Sequence, residues 1–249
     1  MKNILLKVEN LSKNYHTKEC EIIAIKNLSF NIYKDEILAI VGPSGCGKST
    51  LLSILANLEK ETSGKIIKDD NYKIGYMLQT DSLFPWLTVL DNALVGLDIL
   101  KIKNEQTINN TINLLKKYGL YEFKDAYPNS LSGGMRQRVA LIRTLAINPD
   151  LILLDEPFSA LDYQTRLILS NDMYEIIKRE KKTALLITHN IGEAISMADR
   201  VIVLTQRPCE VKNTYKIELD NKSNPINNRK DGKFNYYYDL IWGDLNVQL

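Results

Sequence analysis

The strongest constraint on the fold of this 249-residue chain lies between residues 37 and 58. Five apolar residues, Ile37–Val41, predict a buried strand, and a helical pattern follows from about Lys48 to Leu58. The turn between them, Gly42–Ser49, has the spacing G-x-x-x-x-G-K-S. Its glycines let backbone N–H groups converge on phosphate oxygens, and the helix start adds partial positive charge. The segment therefore predicts a phosphate-binding loop.

In a loop of this kind the lysine reaches the β- and γ-phosphates of a nucleotide, and the hydroxyl residue binds Mg²⁺. We assign these roles to Lys48 and Ser49. The alternative is a glycine-rich turn with a surface lysine. We expect Cys46 to fill space in the loop rather than to act as a reactive thiol. The predicted nucleotide-binding residues of this segment are Gly42, Pro43, Ser44, Gly45, Cys46, Gly47, Lys48, Ser49 and Thr50.

Further short apolar runs alternate with helical patterns along the chain, which is typical of an α/β fold with a largely parallel sheet. Leu151–Leu154, Ala184–Thr188 and Val201–Leu204 are apolar almost throughout, as strands covered by helices on both faces would be. Between residues 88 and 147 the pattern becomes mostly helical. The predicted helices there are Val89–Leu100 and Ile108–Tyr118, with Gly119 as the stop of the second.

These patterns predict one domain spanning residues 1–249, with a helical insertion at about 80–147 and a C-terminal extension at about 206–249. Residues 220–233 are polar and rich in turn-forming residues, so we expect a surface linker there. An aromatic cluster follows and predicts a short C-terminal helix that packs back on the domain. Its members are Phe234, Tyr236, Tyr237, Tyr238 and Trp242.

Composition excludes several classes of protein. The net charge is only +2, so nothing indicates a nucleic-acid partner. The three cysteines, at positions 20, 46 and 209, are scattered, which favours a reducing compartment over a disulfide framework. The N-terminus lacks the pattern of a signal peptide. The apolar runs are far shorter than the ~18 residues of a membrane span, so we expect a soluble chain.

Two acids end the apolar run at Leu151–Leu154, where an open α/β sheet has its ligand crevice. Asp155 is predicted to hold Mg²⁺, through a water molecule, and Glu156 to orient or deprotonate the attacking water. His189 follows the run at 184–188 and could reach the γ-phosphate from a neighbouring strand end. Alone, the acids could be a helix cap and the histidine a structural residue.

The segment Leu131–Arg138, with the sequence LSGGMRQR, closely resembles the signature of ABC ATPases, the ATP-binding subunits of ABC transporters. Other family elements follow in order, and the resemblance runs from about residue 5 to 205. Tyr15 is placed like the aromatic residue that stacks on adenine, and Gln79 like the glutamine of the Q-loop. Ser159–Asp162 resembles the D-loop, and His189 the switch histidine.

This resemblance implies a P-loop NTPase core of the ABC ATPase type, an α/β fold with a mixed, largely parallel sheet and an inserted helical subdomain. It implies ATP and Mg²⁺ as cofactors, with Gln79 and Asp155 near the metal and Asp162 near the nucleotide. Ser132, Gly133 and Gly134 open a predicted helix and offer a second anion site. In the family, that site closes over ATP held by the other subunit, which implies a homodimer with two sandwiched nucleotides.

A narrower resemblance lies in Gln79–Asn92, which is similar to nitrate/sulfonate/taurine-type importer ATPases, where LPWLTVLDNV is usual. Phe84 stands where leucine is common. Thr205–Pro208 is also in the manner of that group, whereas Cys209 and Glu210 replace its glycine-containing turn. The resemblance implies a peripheral protein at the cytoplasmic face of the membrane. Its partners would be integral-membrane permease subunits and, indirectly, an external solute-binding protein. Importers of thiamine precursors share these features.

Several alternatives remain at this point. Soluble ABC ATPases of DNA repair or the ribosome carry long coiled coils or two cassettes, which this sequence lacks. Asn221–Asn224 resembles the guanine-reading N-K-x-D box of GTPases, but its aspartate is absent. Exporters often fuse the ATPase to membrane helices, and none is predicted here. Trp86 either docks on the permease or fills the core of the helical insertion.

Overall fold

The computed structural model describes residues 3–16, 20–69, 72–159 and 161–246. A six-stranded sheet forms the centre, with the order β5-β6-β7-β3-β8-β9; all neighbouring strands are parallel except the edge pair β8 and β9. A second, antiparallel sheet has the order β2-β1-β4. The strands are β1 Ile4–His16, β2 Glu21–Tyr33, β3 Ile37–Val41, β4 Ser63–Ile67, β5 Ile74–Met77, β6 Leu151–Asp155, β7 Thr183–Ile187, β8 Arg200–Leu204 and β9 Val211–Lys216.

The helices of the described residues cover both faces of the central sheet. Polar side chains cap several of them, for example Thr88, which accepts from Asp91 N, and Asn190, which accepts from Glu193 N. Within the described ranges, no helix has the length and apolar content to cross a membrane. The helices are α1 Lys48–Leu55, α2 Val89–Ile99, α3 Glu105–Lys117, α4 Gly133–Ala146, α5 Tyr163–Arg179, α6 Ile191–Met197, α7 Pro225–Asn228 and α8 Phe234–Asn246.

Strand β3 shows why the central sheet is apolar throughout. Ile37, Ala39 and Val41 belong to the core on one face of the sheet, and Leu38 and Ile40 to the core on the other. All five residues are fully buried. A strand covered on both faces needs apolar residues at every position. The burial of β3 on both faces agrees with the α/β fold class that the short apolar runs predicted.

The structure differs from the prediction at several element ends. Helix α1 ends at Leu55 rather than Leu58, because Asn57 has a left-handed φ of 60°. Helix α3 begins at Glu105 rather than Ile108, because Asn104 and Thr107 form a reciprocal capping box. The patterns did not predict β1, β2, β4, β5 or β9. In β1 and β2, bulges interrupt the alternation of polar and apolar residues.

The segment 220–233 lies mostly at the surface, as expected of a linker, but it is not an unstructured one. The segment contains α7, and both Pro225 and Asn228 are buried. The Asn228 side chain donates to the Ser196 carbonyl at 2.8 Å and accepts from Ser223 N at 2.7 Å. The polar composition predicted a solvated linker, but the Asn228 side chain is buried because its hydrogen-bond partners lie in helix α6 and within the segment itself. The predicted C-terminal helix is present as α8, with Phe234 and Ile241 buried against the domain.

One partly buried carboxylate ties this C-terminal segment to the core. Asp199, between α6 and β8, accepts from Ile37 N at 2.9 Å and pairs with Lys178 at 3.0 Å and Lys222 at 2.7 Å. Burial alone would raise its pKa, but the lysine ammonium groups and the backbone N–H outweigh burial and hold the pKa at about 2. The carboxylate therefore stabilises the folded state in its ionised form.

We expect Asp199→Asn to lower the free energy of unfolding by about 2–3 kcal/mol at pH 7. Because the folded pKa lies below the unfolded value of about 3.9, this contribution is fully present at neutral pH and lost as pH falls through 2. At pH 3 roughly half of it should remain. Urea unfolding at both pH values measures it, with Asp98→Asn, in an exposed ion pair with Lys103, as control. Equal stabilities at pH 7 would contradict this role.

Candidate active site

The glycine-rich turn between β3 and α1 wraps tightly at two glycines. Gly45 has a φ of +72° and Gly47 a φ of +129°, both in the region that side chains disfavour. A Cβ atom on Gly47 would also lie 3.0 Å from the Ala24 carbonyl oxygen and 3.3 Å from Cys209 Cβ. The loop therefore needs glycine at these positions, and its backbone forms a cradle of the kind that holds phosphate.

Lys48 lies inside this loop. Its side chain is only 7% exposed, and Nζ donates to the carbonyl oxygens of Gly42 at 2.8 Å and Pro43 at 2.9 Å. These contacts hold the ammonium group over the loop, at the start of α1 where the helix dipole favours an anion. Ser49 and Thr50 follow on the first turn of the helix.

A cleft of about 370 Å³ opens beside the loop. Strand β1 of the antiparallel sheet contributes Tyr15, whose hydroxyl donates to Glu59 at 2.8 Å and lies 3.4 Å from Thr50 Oγ1. The structure thus brings the predicted adenine-stacking residue to the phosphate loop. The other residues that line the cleft are Ile22, Ala24, Ser44, Gly45, Gly47, Lys48, Ser49, Glu156 and Arg207.

Asp155 ends strand β6 with its carboxylate half-buried. Burial raises the pKa of Asp155, whereas a hydrogen bond donated by Tyr76 (3.1 Å) and the charge of Lys48 act in the opposite direction. The Ser49 hydroxyl and this carboxylate are hard oxygen donors, the ligand type that Mg²⁺ prefers. Gln79 Nε2 donates to Ser159 Oγ at 3.1 Å, so the amide oxygen is the atom of Gln79 that could face a metal. The donor set fits Mg²⁺.

Glu156 and His189 are in direct contact. Glu156 Oε2 lies 2.9 Å from His189 Nδ1, and the two come from the adjacent strand ends of β6 and β7. Glu156 has a φ of 44°, a strained conformation for a long side chain, which its N–H stabilises by donating to the Ile187 carbonyl at 2.9 Å. Such strain is typical of functional sites.

The D-loop and the signature segment lie on neighbouring elements rather than in the cleft. Asp162 caps α5 by accepting from Thr165 N at 3.0 Å, and Ala160 lies outside the described residues. Ser132 caps α4, is exposed, and accepts from Met135 N at 3.3 Å. A Cβ on Gly133 would lie 3.8 Å from Leu161, and one on Gly134 3.5 Å from Leu169. Ser132, Gly133 and Gly134 are not among the residues that line the cleft.

Two contacts of the phosphate loop escaped prediction. Arg207 Nη2 donates to the Gly45 carbonyl at 2.8 Å and lines the cleft. Cys46 and Cys209 are both buried behind the loop, where the neighbouring Cys46 thiol and burial together raise the pKa of Cys209. Arg207 and Cys209 lie about 160 residues from the loop, so no local pattern could have revealed either contact.

Comparison with known proteins places this chain in a family. The family model described as ABC transporter matches residues 25–159. The chain is 41% identical over 248 residues to the ABC transporter ATP-binding protein YtlC of Bacillus subtilis, covering 97% of this chain and 95% of YtlC. It is 37% identical over 247 residues to the nitrate import ATP-binding protein NrtD of Synechocystis sp., covering 95% and 93%. It is 40% identical over 184 residues to the formylaminopyrimidine import ATP-binding protein ThiZ of Halalkalibacterium halodurans, covering 74% of each.

Solved structures with a similar fold belong to the same family. The dimeric structure of MJ0796, a bacterial ABC transporter cassette, superposes with a TM-score of 0.72 at 35% identity, covering 86% of this chain and 99% of MJ0796. A structure of that cassette in a post-hydrolysis state, bound to ADP and Pi, superposes with a TM-score of 0.71. These matches confirm the fold and the resemblance drawn from the signature. The chain therefore belongs to the ABC transporter family of ATPases.

Proposed function

We propose that this chain is the ATP-hydrolysing subunit of an ABC importer and that two copies sandwich two MgATP molecules. The observation that carries the proposal is that the predicted nucleotide-binding groups lie at two separate places on the chain. The cleft holds the phosphate loop and Glu156, whereas the Ser132–Gly134 anion site opens elsewhere on the same chain. A second copy, turned head to tail, would supply that missing half, as a two-fold interface allows.

Each residue of the cleft has a chemical task in this proposal. Tyr15 stacks on the adenine, and the loop amides with Lys48 bind the β- and γ-phosphates. Mg²⁺, held by Ser49, Gln79 and Asp155, would neutralise developing charge on the phosphates when bound. Glu156 accepts a proton from the attacking water.

The contact between Glu156 and His189 suggests how the base is oriented. With Nδ1 of the imidazole directed at the Glu156 carboxylate, Nε2 is left for the γ-phosphate. The histidine would thereby link the position of the base to the presence of the third phosphate. The base and the residue that positions it lie on adjacent strand ends. This arrangement suits hydrolysis, because the attacking water must be aligned with the phosphorus atom.

We further propose that the transported solute is a small anion or nutrient such as nitrate, a sulfonate or taurine. The similarity to NrtD and the Gln79–Asn92 segment support this choice. The similarity to ThiZ supports a thiamine-precursor-like solute as the alternative. A soluble ABC ATPase without a permease is the second alternative. The solute class is tested by searching the neighbouring genes for a solute-binding protein and titrating that protein with nitrate, a sulfonate, taurine and a thiamine precursor.

The loop around Trp86 is the proposed docking site for the permease. Trp86 is 69% exposed and its ring lies 5.3 Å from that of Phe84, so it does not fill the core of the helical insertion. The buried Asn92 holds the loop in shape: it accepts from Phe84 N at 2.8 Å and donates to the carbonyls of Phe84, Leu87 and Thr88. A rigid loop that exposes a tryptophan is typical of a binding surface. Docking there would place the chain at the cytoplasmic face of the membrane.

Trp86→Ala should therefore separate assembly from folding. We expect unchanged MgATP affinity and a stability change within about 0.5 kcal/mol, because the side chain is exposed. Capture by the permease should weaken by about tenfold or more. Pull-down of the purified subunit by its permease in detergent, together with thermal melting of the isolated subunit, measures both.

Ile99→Ala is the matched control, because Ile99 is 71% exposed at the end of α2 and lies outside the loop. It should leave both pull-down and melting unchanged. Normal capture of the Trp86→Ala subunit by the permease would remove this loop from the interface.

A further inference from the structure

Helix α8 turns one face to the domain and exposes aromatic rings on another. Phe234 and Ile241 are buried, whereas Tyr238 is 37% and Trp242 53% exposed. The two exposed rings stack on each other, with centroids 6.3 Å apart and an interplanar angle of 13°. They are four residues apart, so they lie on one side of the helix. We call Tyr238 and Trp242 the α8 aromatic pair.

The pair borders the nucleotide site. Together with Leu245 it forms one wall of a cleft of about 420 Å³. The facing residues come from the phosphate loop and from the segment that follows β7: Gly42, Pro43, Ser44, His189, Asn190 and Ile191. Exposed aromatic rings thus adjoin the two segments that the proposed function places at the γ-phosphate.

The helix is held firmly in this position. Asp244 accepts from Tyr215 OH at 2.6 Å and from Asn213 Nδ2 at 2.7 Å, both on strand β9. The Tyr237 hydroxyl accepts from Glu218 N at 3.1 Å. Because these contacts fix the helix, the aromatic pair can bind a partner without a large loss of conformational entropy.

The start of α8 lies close to the segment that follows β7. The Arg229 guanidinium lies 5.9 Å from the ring of Phe234, the first residue of α8. A Cβ atom on Gly192, in α6, would lie 2.6 Å from Arg229 Nη1. Both ends of α8 therefore adjoin the segment that carries His189, Phe234 through Arg229 and the aromatic pair through the cleft itself.

We infer that the α8 aromatic pair is part of the ATP-dependent dimer interface and is buried by a second copy of this chain. The inference rests on the proposed function, in which a second copy covers the phosphate loop and His189. In a two-fold dimer both copies use the same face. Side chains that border the phosphate loop and His189 on one copy would therefore face the other copy. Tyrosine and tryptophan are the residues that such interfaces favour.

A second copy fits this position better than the permease does. The proposed permease site, the Trp86 loop, lies at the start of the α2–α4 region, whereas the pair lies against the phosphate loop. The pair and its neighbours Leu245, Ile191 and Pro43 carry no charge. Burial of this uncharged aromatic surface would therefore stabilise the closed dimer, because no charge has to be removed from water.

Intrinsic fluorescence tests the inference directly, because the sequence contains only two tryptophans. In a Glu156→Gln, Trp86→Phe protein, Trp242 is the only source of tryptophan emission. We expect ATP to shift this emission to the blue and to reduce its quenching by acrylamide several-fold. Both changes should follow the dimer fraction as protein concentration rises. They should be absent with ADP and absent after the further change Ser132→Arg.

The second arm removes the pair. Tyr238→Ala with Trp242→Ala in the Glu156→Gln background should raise the dissociation constant of the ATP dimer at least tenfold and leave ATP affinity unchanged. Tyr236→Ala, 60% exposed on the same helix but outside the cleft, should leave the dimer unchanged. Sedimentation measures dimerisation, and titration of ATP confirms that the variant is folded.

The outcomes separate the two proposals. If Glu156→Gln itself stays monomeric with ATP, the sandwich fails and this inference with it. If it dimerises but Trp242 remains equally quenched, the pair is not in the interface. If the Tyr238→Ala, Trp242→Ala variant dimerises as well as Glu156→Gln alone, the inference is also overturned, whether or not capture by the permease is reduced. The fluorescence arm keeps the side chain of Trp242 intact, so it decides the question even if the alanine variant does not fold.

Discussion

Lys48→Ala is expected to weaken MgATP binding by about 100-fold or more, equivalent to about 2.7 kcal/mol. The side chain is the cation held inside the phosphate loop, where burial strengthens its attraction to phosphate oxygens. Loss of the ammonium group removes its attraction for the β- and γ-phosphates and leaves the amides of the loop in place. Isothermal titration with MgATP measures the change.

The geometry adds one requirement to this experiment. Nζ of Lys48 also bonds to the carbonyl oxygens of Gly42 and Pro43, so its removal can loosen the loop as well. Thermal melting should therefore accompany the titration, with exposed Lys60, shortly after α1, changed to alanine as control. Near wild-type ATP affinity in a folded Lys48→Ala protein would disprove the assignment of Lys48.

Glu156→Gln should slow ATP hydrolysis by about 100-fold or more, because the amide keeps the size of the side chain but cannot accept the proton from water. An amide can still form a hydrogen bond with His189, so the strand ends should keep their arrangement. ATP should still bind. If hydrolysis opens the proposed sandwich, the closed dimer should accumulate, and size-exclusion chromatography with ATP should show the shift from monomer to dimer.

A second change in the same protein identifies the surface responsible. Ser132 is exposed at the start of α4, so an arginine there should leave the fold intact and crowd the γ-phosphate presented by the other copy. The Glu156→Gln, Ser132→Arg protein should remain monomeric with ATP. If it dimerises as well as Glu156→Gln alone, the head-to-tail sandwich is wrong.

The sequence by itself determined the α/β class and the local form of the phosphate loop. Strand β3, the loop and α1 are consecutive, so their chemistry is written in adjacent residues: apolar positions for a buried strand, then glycines, Lys48 and Ser49. The acids Asp155 and Glu156 could likewise be placed at a strand end, because parallel strands direct their C-terminal ends to one edge of the sheet. The sheet confirms that edge, since β6, β7 and β3 are neighbours.

Only the tertiary structure decided which distant residues join these segments. Tyr15 and Arg207 reach the cleft from a second sheet and from the turn after β8, and periodicity within a strand carries no information about such contacts. The polar stretch at 220–233 has the composition of a linker, yet Asn228 is buried because the carbonyl of Ser196 accepts its hydrogen bond. Exposure of Trp86 and Trp242 likewise depends on what packs beside them, and an aromatic residue in a sequence predicts burial and binding equally well.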